Sequence, residues 1–378
     1  MNYSNIKAVT IIRDFGVFRR VWPTFMENTL LFTIGVARPF LQLHNRKLLV
    51  CELDPQCMVV QNLKDLTSID KYVDTSGRPF FKKGMGVFIP AWNADYYIRG
   101  QTYFKIFHSE DLVEFKDVYV DPAGTYGNHF FADAKGSMIC IGVGRGWKGC
   151  QGTISYTPLS SYLLCSEDGG KHWSKIYELK LPSAIYDGLI VDDTILFTAR
   201  ERGSIFISFN KGRTFTEIRL FSSARNVLYT KIGRKEVIVI SSDNSFYYST
   251  DLVKFERIKF NTKGLVLRYP TYYLSKIFFT GVGTCSWLLA YDPKSGKLYN
   301  IDLTKFYGDK SATRLATYND VFFVGSELYG KLYLVNPNSL EEVGTKDYIK
   351  LRIMALLYHG IKMFMYFPPR VASILEIA

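Results

Sequence analysis

The chain has 378 residues, 47% of them hydrophobic and 22% charged, and a formal net charge of +12 at pH 7. This composition excludes an intrinsically disordered chain and indicates a globular protein with a large core. The basic excess favours partners such as an acidic glycan or an anionic surface, and nucleic acid is not excluded.

The start of the chain, MNYSNIKAVTIIRD, lacks the basic and apolar blocks of a signal peptide. No apolar run approaches the roughly 20 residues that a membrane helix needs. We therefore expect synthesis in the cytoplasm, no membrane insertion and reduced thiols. The six cysteines and five histidines show no metal-ligand spacing. Buried free thiols, no metal and no cofactor are the resulting predictions.

Short apolar runs separated by polar breaks recur along the chain, which is the pattern of an all-β protein. One series is a polar turn followed by an apolar strand, and a second series of turns, the tips, follows in most units about 18 residues later. The first series is represented by Asn45, Asn93, Lys135, Asp192, Gly233, Ser275, Asn319 and His359. The tips are represented by Asp65, Asp111, Asp168, Asn210, Asp251, Asp292 and Asn336.

Each unit of about 42 residues accommodates four strands, A to D, with the first turn joining A to B and the tip joining C to D. A single four-stranded sheet cannot bury both of its faces, but a ring of such sheets can. The spacing predicts a β-propeller, with eight blades favoured and seven possible. We expect residues 1–36 to contribute a ring-closing strand and residues 37–378 to form the propeller.

The tips share a Ser, an acidic or amide residue two positions later, and an aromatic residue. The stretch SEDGGKHW resembles the Asp-box, or BNR repeat, of the sialidase-like propeller superfamily, whose members include virion proteins of phage tails. The resemblance implies that the tips are structural turns on the face opposite the binding site. Their residues are Ser166, Asp168, Gly170 and Trp173, then Ser208 and Asn210, Ser249 and Asp251, and Ser109 and Asp111.

Arginines recur at one distance before the A–B turns. Arg38, Arg268 and Arg352 each precede a turn by seven residues, and Arg314 precedes one by five, which is the same parity. Arg225 precedes a turn by eight residues, so this count does not predict which face of the strand it occupies. The four arginines of equal parity are predicted to line the mouth of the central channel and to bind an anion through paired hydrogen bonds.

A glycine-rich insertion, residues 142–161, lengthens one unit. Long loops are often functional, so its large side chains are candidate ligand contacts. Packing against a neighbouring blade or subunit is an equally good interpretation. The candidates are Arg145, Trp147, Lys148 and Tyr156.

Two functions remain open. The first is a non-catalytic binding or assembly module, such as a structural or receptor-binding component of a virus particle, with other proteins or an acidic glycan as partners and oligomers possible. The alternative is a sialidase-like exo-glycosidase acting on an anionic sugar. The segment VARPF around Arg38 resembles the first arginine motif of sialidases but lacks its isoleucine and aromatic residue. Tyr318, Glu201 and Asp54 are available for catalysis, but no motif selects them, so catalytic residues are unknown.

Overall fold

The computed structural model describes 30 strands and one 3-10 helix, Leu66–Ser68. The described residues are 10–14, 19–26, 29–36, 48–54, 59–70, 72–73, 75–93, 103–133, 136–146, 158–220, 222–243, 245–259, 266–282, 287–302, 312–318, 321–326, 331–335 and 341–342. All statements below refer to these residues.

The strands form seven antiparallel sheets. Sheet 1 contains β2 Arg19–Met26, β3 Thr29–Val36, β4 Leu49–Asp54 and β5 Val59–Asp65. Sheet 2 contains β6 Thr75–Ser76, β7 Phe80–Lys82, β8 Gly86–Trp92, β9 Phe104–Ser109 and β10 Lys116–Asp121. Sheet 3 contains β11 Gly124–Ala132, β12 Ile139–Arg145, β13 Ser160–Ser166 and β14 Ser174–Leu179.

Sheet 4 contains β15 Ile185–Val191, β16 Thr194–Ala199, β17 Ser204–Ser208 and β18 Thr216–Arg219. Sheet 5 contains β19 Val227–Ile232, β20 Lys235–Ser241, β21 Ser245–Ser249 and β22 Glu256–Lys259. Sheet 6 contains β23 Val266–Tyr273, β24 Lys276–Val282, β25 Trp287–Tyr291, β26 Leu298–Asp302 and β30 Glu341–Glu342. Sheet 7 contains β27 Ala312–Tyr318, β28 Val321–Ser326, β29 Lys331–Val335 and β1 Thr10–Asp14.

The sheets follow one another around a ring. Strands of each sheet contact the next sheet, and β2 of sheet 1 contacts β27 and β28 of sheet 7. Strand β1 pairs with β29, so residues from the start of the chain complete a sheet built from residues 312–335. This arrangement is a β-propeller of four-stranded blades, as predicted. The predicted domain boundary at residue 37 falls inside sheet 1, between β3 and β4.

Apolar clusters fill the interfaces between neighbouring sheets. In β16, Ile195 and Phe197 pack against sheet 3, while Leu196 between them packs against sheet 5. Successive side chains of a strand point to opposite faces, so a strand between two neighbours is apolar on both faces and reads as a continuous apolar run. Outer strands such as β18 and β22 are exposed at their ends.

The first two A–B turns predicted from the sequence are wrong. Asn93 follows β8 and begins a B–C connection, and Asn45, outside the described residues, falls between β3 and β4. The A–B connections of these sheets are residues 27–28 and 83–85 instead. Asp65 is likewise the last residue of β5 and not a C–D tip. The turn at His359 lies outside the described residues, so the blade count stays a prediction.

Two of the cysteines are paired. Cys140 of β12 and Cys165 of β13 are direct cross-strand partners and form a disulfide, with their Cα atoms 4.1 Å apart. The prediction of free thiols is therefore wrong for this pair. It holds for Cys51, which is free and buried. In the described part of the chain, no helix is long and apolar enough to cross a membrane.

Candidate anion site at the mouth of the central channel

The two faces of the ring differ in their connections. The B–C and D–A connections form one face, here called the mouth face, and the A–B and C–D turns form the other, the tip face. Four of the inner strands, β11, β15, β23 and β27, contain the same β-bulge near their mouth-face ends. Bulges re-aim side chains and are frequent next to functional sites. The bulged residues are 128–129, 186–187, 269–270 and 313–314.

Aromatic rings on inner strands of four sheets meet at the ring axis. Trp22 of sheet 1, His129 of sheet 3 and Tyr269 of sheet 6 contact one another edge to face, with ring centroids 5.4–5.7 Å apart. Tyr186 of sheet 4 joins them through His129 at 5.5 Å. Because sheets 1, 3 and 6 are not neighbours, these contacts cross the axis. The rings therefore close the channel below its mouth, and we call them the aromatic plug.

Arginines gather above the plug. Arg200 follows β16, Arg225 precedes β19, and Arg268 is the third residue of β23. The Arg200 guanidinium lies 5.3 Å above the Tyr186 ring. It is held by Glu201, whose Oε2 also accepts a hydrogen bond from the Ala184 amide at 2.7 Å.

Arg225 is oriented by a carboxylate on the same face. Its Nε donates to Asp243 Oδ1 at 3.1 Å, and its Nη2 lies at the same distance from that oxygen. Glu201 and Asp243 thus orient two guanidinium groups of the mouth.

The positive potential at this site outweighs the effect of burial on Tyr186. Burial raises the pKa of the Tyr186 phenol, but Arg268, Arg200 and Arg225 together bring it below its usual value. Burial and the repulsion from Arg268 lower the pKa of Arg225. The arginines therefore repel one another across the mouth, and a bound anion would relieve that repulsion.

Beside the plug lies a second charged pair. Burial raises the pKa of Asp187 to about 6, although Asn226 Nδ2 and the Val227 amide donate to its Oδ2 at 3.0 and 3.2 Å. Arg78 Nη2 donates to Thr24 Oγ1 at 3.1 Å, and burial lowers the Arg78 pKa to about 10 against the attraction of Asp187. Arg78 and Asp187 thus place two charged groups in the wall of the channel.

The backbone is strained at the plug. Tyr269 has φ of 51°, a left-handed conformation that costs a bulky residue free energy, and Pro270 follows it in the bulge. The Tyr269 amide donates to Asn226 Oδ1 at 3.2 Å, which links sheets 5 and 6. Strain of this kind persists where the surroundings over-determine it, and it clusters at functional sites.

Of the four predicted anion-site arginines, the structure describes the side chain of Arg268 alone, and it places that side chain at the mouth. Arg314 occupies the bulge of β27 at the position that Pro270 has in β23, so the parity count does not hold between these two arginines. Arg38 and Arg352 lie outside the described residues. No motif marks Arg78, Arg200 and Tyr186, so the sequence does not predict them. The spacing of Arg225 from a turn does not assign it to either face of its strand.

The predicted ligand loop is described only at its base. Arg145, the last residue of β12, donates from Nε and Nη2 to Asp121 Oδ2 at 3.0 and 2.9 Å, and its guanidinium lies 5.0 Å from the Tyr162 ring centroid. Tyr162 OH donates to the same Asp121 oxygen at 2.5 Å. Arg145 thus ties sheet 3 to sheet 2. Trp147, Lys148 and Tyr156 lie outside the described residues.

The tips lie on the opposite face and are held by local hydrogen bonds. In sheet 3, Ser166 Oγ donates to Asp168 Oδ1 at 2.8 Å and accepts from the Gly170 amide at 2.7 Å. Asp168 Oδ1 also accepts from the amides of Lys171 and His172, and Trp173 Nε1 donates to the Gly170 carbonyl. These bonds keep the pKa of Asp168 well below its usual value.

The other three tips repeat this scheme. In sheet 4, Ser208 Oγ donates to Asn210 Oδ1 at 2.9 Å and accepts from the Gly212 amide at 2.8 Å. In the shorter tips, Ser109 and Ser249 donate to Asp111 and Asp251, and each aspartate accepts two further backbone amides. The tip side chains are therefore engaged within their own turns.

Comparison with known proteins supports the fold. The chain is similar to Sqt1 of Saccharomyces cerevisiae, with a TM-score of 0.57 and 11% identity over 90% of this chain and 88% of that one. It is also similar to YCF48 bound to D1 peptide (0.56, 10%, 89% and 96%) and to the WD40 repeats of RRP9 (0.57, 8%, 88% and 98%). At these identities the likeness shows the fold alone. No protein-family model and no curated protein matches the chain.

Proposed function

We propose that this chain is a non-catalytic protein-binding β-propeller that engages its partner at the mouth face. The observation that carries the proposal is the cluster of Arg200, Arg225 and Arg268 above a closed channel. Clustered arginine and aromatic side chains are typical of binding hot spots. The similar structures, which include WD40 repeats and a peptide-bound chain, are compatible with this role.

The test is a comparison of two charge reversals. The wild-type chain, Arg268→Glu on the mouth face and Lys254→Glu on the tip face are each used to capture proteins from an extract of the source. A partner of the mouth face is retained by Lys254→Glu and lost from Arg268→Glu. Equal retention by both variants would contradict the proposal, provided that both have wild-type melting temperatures.

A sialidase-like exo-glycosidase remains the second candidate, because Tyr186 lies among three arginines and its pKa is lowered. Such a reaction needs a tyrosine nucleophile and carboxylates near the scissile bond. Incubation with a fluorogenic sialoside separates the candidates. A binding module gives no turnover, whereas turnover that Tyr186→Phe abolishes would replace the first proposal.

The narrower proposal is that the partner is another protein of a virus particle, such as a phage tail. It is supported only by the resemblance of the tips to the Asp-box. Mass spectrometry of particles purified on a density gradient tests it. Absence of the chain from such particles would contradict this narrower proposal and leave the binding role untouched.

A further inference from the structure

We propose that the tips of sheets 4 to 6 form a surface that docks onto an anionic lipid bilayer. This surface, here called the basic tip surface, comprises the C–D turns 209–215, 250–255 and 292–297 and the A–B turn 274–275. It lies on the face opposite the mouth, so the inference does not depend on the proposed function. It follows from the side chains that these turns expose, from their charge and from one strained turn.

The basic tip surface holds large apolar side chains in solvent. Val253 is 67% exposed, Phe209 is 59% exposed and Leu274 is 45% exposed. Each of them belongs to a different sheet, and polar residues of the turns flank them. Apolar side chains that stand singly on separate turns offer no continuous apolar area to a folded protein partner. The interface of a bilayer is fluid and takes up separate apolar side chains between its headgroups.

The charge of the tips differs between the two sides of the ring. The C–D turns of sheets 4 to 6 hold five basic and two acidic residues, whereas those of sheets 2 and 3 hold one lysine and five acidic residues. The A–B turns of sheets 4 to 6 add Asp192, Asp193 and Arg234, so the balance stays positive. Basic residues attract an anionic lipid surface, and lysine is depleted in protein–protein interfaces. The five basic residues of the C–D turns are Lys211, Arg213, Lys254, Lys294 and Lys297.

The two acidic residues of these C–D turns are bonded to their own backbone. Asp251 Oδ1 accepts from the amides of Val253 and Lys254 at 2.9 and 2.8 Å, and Asp292 Oδ1 accepts from the Lys294 amide at 2.9 Å. Each carboxylate therefore shares its charge with the amide dipoles of its turn. The side chains of Lys254 and Lys294 are exposed. The turns thus present lysine and apolar side chains outward together.

The A–B turn of sheet 6 places a leucine where the backbone disfavours it. Leu274 and Ser275 have φ of 46° and 59°, in the left-handed region that glycine and asparagine adopt at least cost. The first residue of the same turn in sheet 5 is Gly233, with φ of 63°. An exposed leucine at such a position departs from the rules of both conformation and solvation. Departures of this kind are expected at functional positions, here a contact with the bilayer.

Co-sedimentation with vesicles tests the inference. The probes are vesicles of phosphatidylcholine alone and vesicles that also contain phosphatidylserine. The wild-type chain should sediment with the anionic vesicles and not with the neutral ones, and added salt should weaken the binding. Lys254→Glu should weaken it about tenfold or more, because each basic residue near such a surface contributes a factor of about five.

The tips of sheets 2 and 5 provide a matched control. Both read Ser-x-Asp-Leu-Val-x-Phe, and Val113 is 61% exposed, but Glu114 stands where sheet 5 has Lys254. Val253→Ser should weaken binding to the anionic vesicles severalfold through lost apolar contact. Val113→Ser should leave this binding unchanged. An equal effect of the two substitutions, or equal binding to neutral and anionic vesicles, would overturn the inference.

Leu274→Asn separates binding from folding. Asparagine suits the left-handed backbone, so the melting temperature should equal or exceed that of the wild type. Binding to the anionic vesicles should nevertheless fall, since the apolar side chain is lost. A lower melting temperature would show that Leu274 serves the fold, and it would contradict the inference, as would unchanged vesicle binding.

A single-stranded DNA oligonucleotide is the competing anionic probe. Lys254→Glu weakens binding to any polyanion, whereas the loss of an apolar side chain weakens binding to lipid. Wild-type chain bound to anionic vesicles should therefore stay bound when the oligonucleotide is added. If the oligonucleotide displaces it, and Val253→Ser binds the oligonucleotide as tightly as the wild type does, the basic tips bind nucleic acid and the inference is wrong.

Discussion

The mouth face and the tip face are built on opposite kinds of contact. At the tips, each polar side chain bonds amides within a few residues of itself, and the same scheme recurs in four sheets. At the mouth, residues from different sheets meet across the axis, and like charges face one another. We therefore expect the tips to stabilise the ring, and the buried and like charges at the mouth to lower its stability.

The largest effect is expected at a tip glycine. Gly170 has φ of +91°, and a Cβ there would lie within 2.6 Å of Phe88 Cζ, a ring that is fully buried. Gly170→Ala should therefore lower the free energy of unfolding by about 3 kcal/mol, through backbone strain and overpacking. Urea denaturation measures this. Protein capture at the mouth face should be unchanged, and a loss of capture at full stability would show that the two faces are not independent.

The next effect is the pH dependence of stability that Asp187, at the mouth, is expected to cause. Because the native pKa of Asp187 is about 6 and its ordinary value is 3.8, the native state holds this proton more tightly than the unfolded state. The contribution of this group to stability therefore falls as pH rises from about 4 to about 6, by about 3 kcal/mol, and is constant above that range.

Asp187→Asn removes the titrating group and should flatten this part of the stability profile. Urea denaturation at several pH values between 4 and 7 measures both chains. If the free energy of unfolding of Asp187→Asn depends on pH as steeply as that of the wild type, another group causes the dependence. Asp187 then does not lower the stability of the mouth. Asp243→Asn, a change at an exposed carboxylate of the same face, is the matched control.

A smaller loss is expected at Ser166. Its buried hydroxyl accepts from the Gly170 amide and donates to Asp168. Ser166→Ala leaves that amide without its acceptor, so the free energy of unfolding should fall by about 1–2 kcal/mol. Thermal melting followed by circular dichroism is the measurement. If Ser166→Ala has wild-type stability, the tip hydrogen bonds do not stabilise the ring.

The smallest effect is a gain. Lys211 has φ of 56°, and the corresponding residue of the sheet 3 tip is Gly169, with φ of 74°. Lys211→Gly relieves a left-handed strain at the expense of an exposed ion pair with Asp193 at 3.3 Å. We expect up to about 1 kcal/mol of added stability in chemical denaturation. A destabilised variant would show that chain entropy exceeds the strain at this tip.

The same contrast explains what the sequence predicted. The tips at Ser166 and Ser208 are local patterns, so their residues and spacing indicated a ring of repeated sheets. The site at the mouth depends on which sheets are opposite one another and on bulges that interrupt alternation. Arg268 was predicted by its distance from a turn. Arg78 and Arg200 belong to connections whose position follows only from the assembled ring.

Misassigned turns had a further consequence for the site. The pattern around Asn45 predicts an A–B turn and so an inner strand at Arg38, although Arg38 follows β3, the second strand of sheet 1. The apolar strand after a B–C connection has the same composition as the strand after an A–B turn, since both are buried on two faces. Hydrophobic patterning alone therefore cannot tell them apart.

The pairing of β1 with β29 also sets the order in which the molecule is completed. Thr10 and Leu334 are partners at opposite ends of the described chain, so this contact has one of the longest loops to close. During synthesis at about 5–20 residues per second, the early strand waits on the order of tens of seconds for its partner. We expect sheets 2 to 5 to be assembled by then, and ring closure to be the slow, final step of folding.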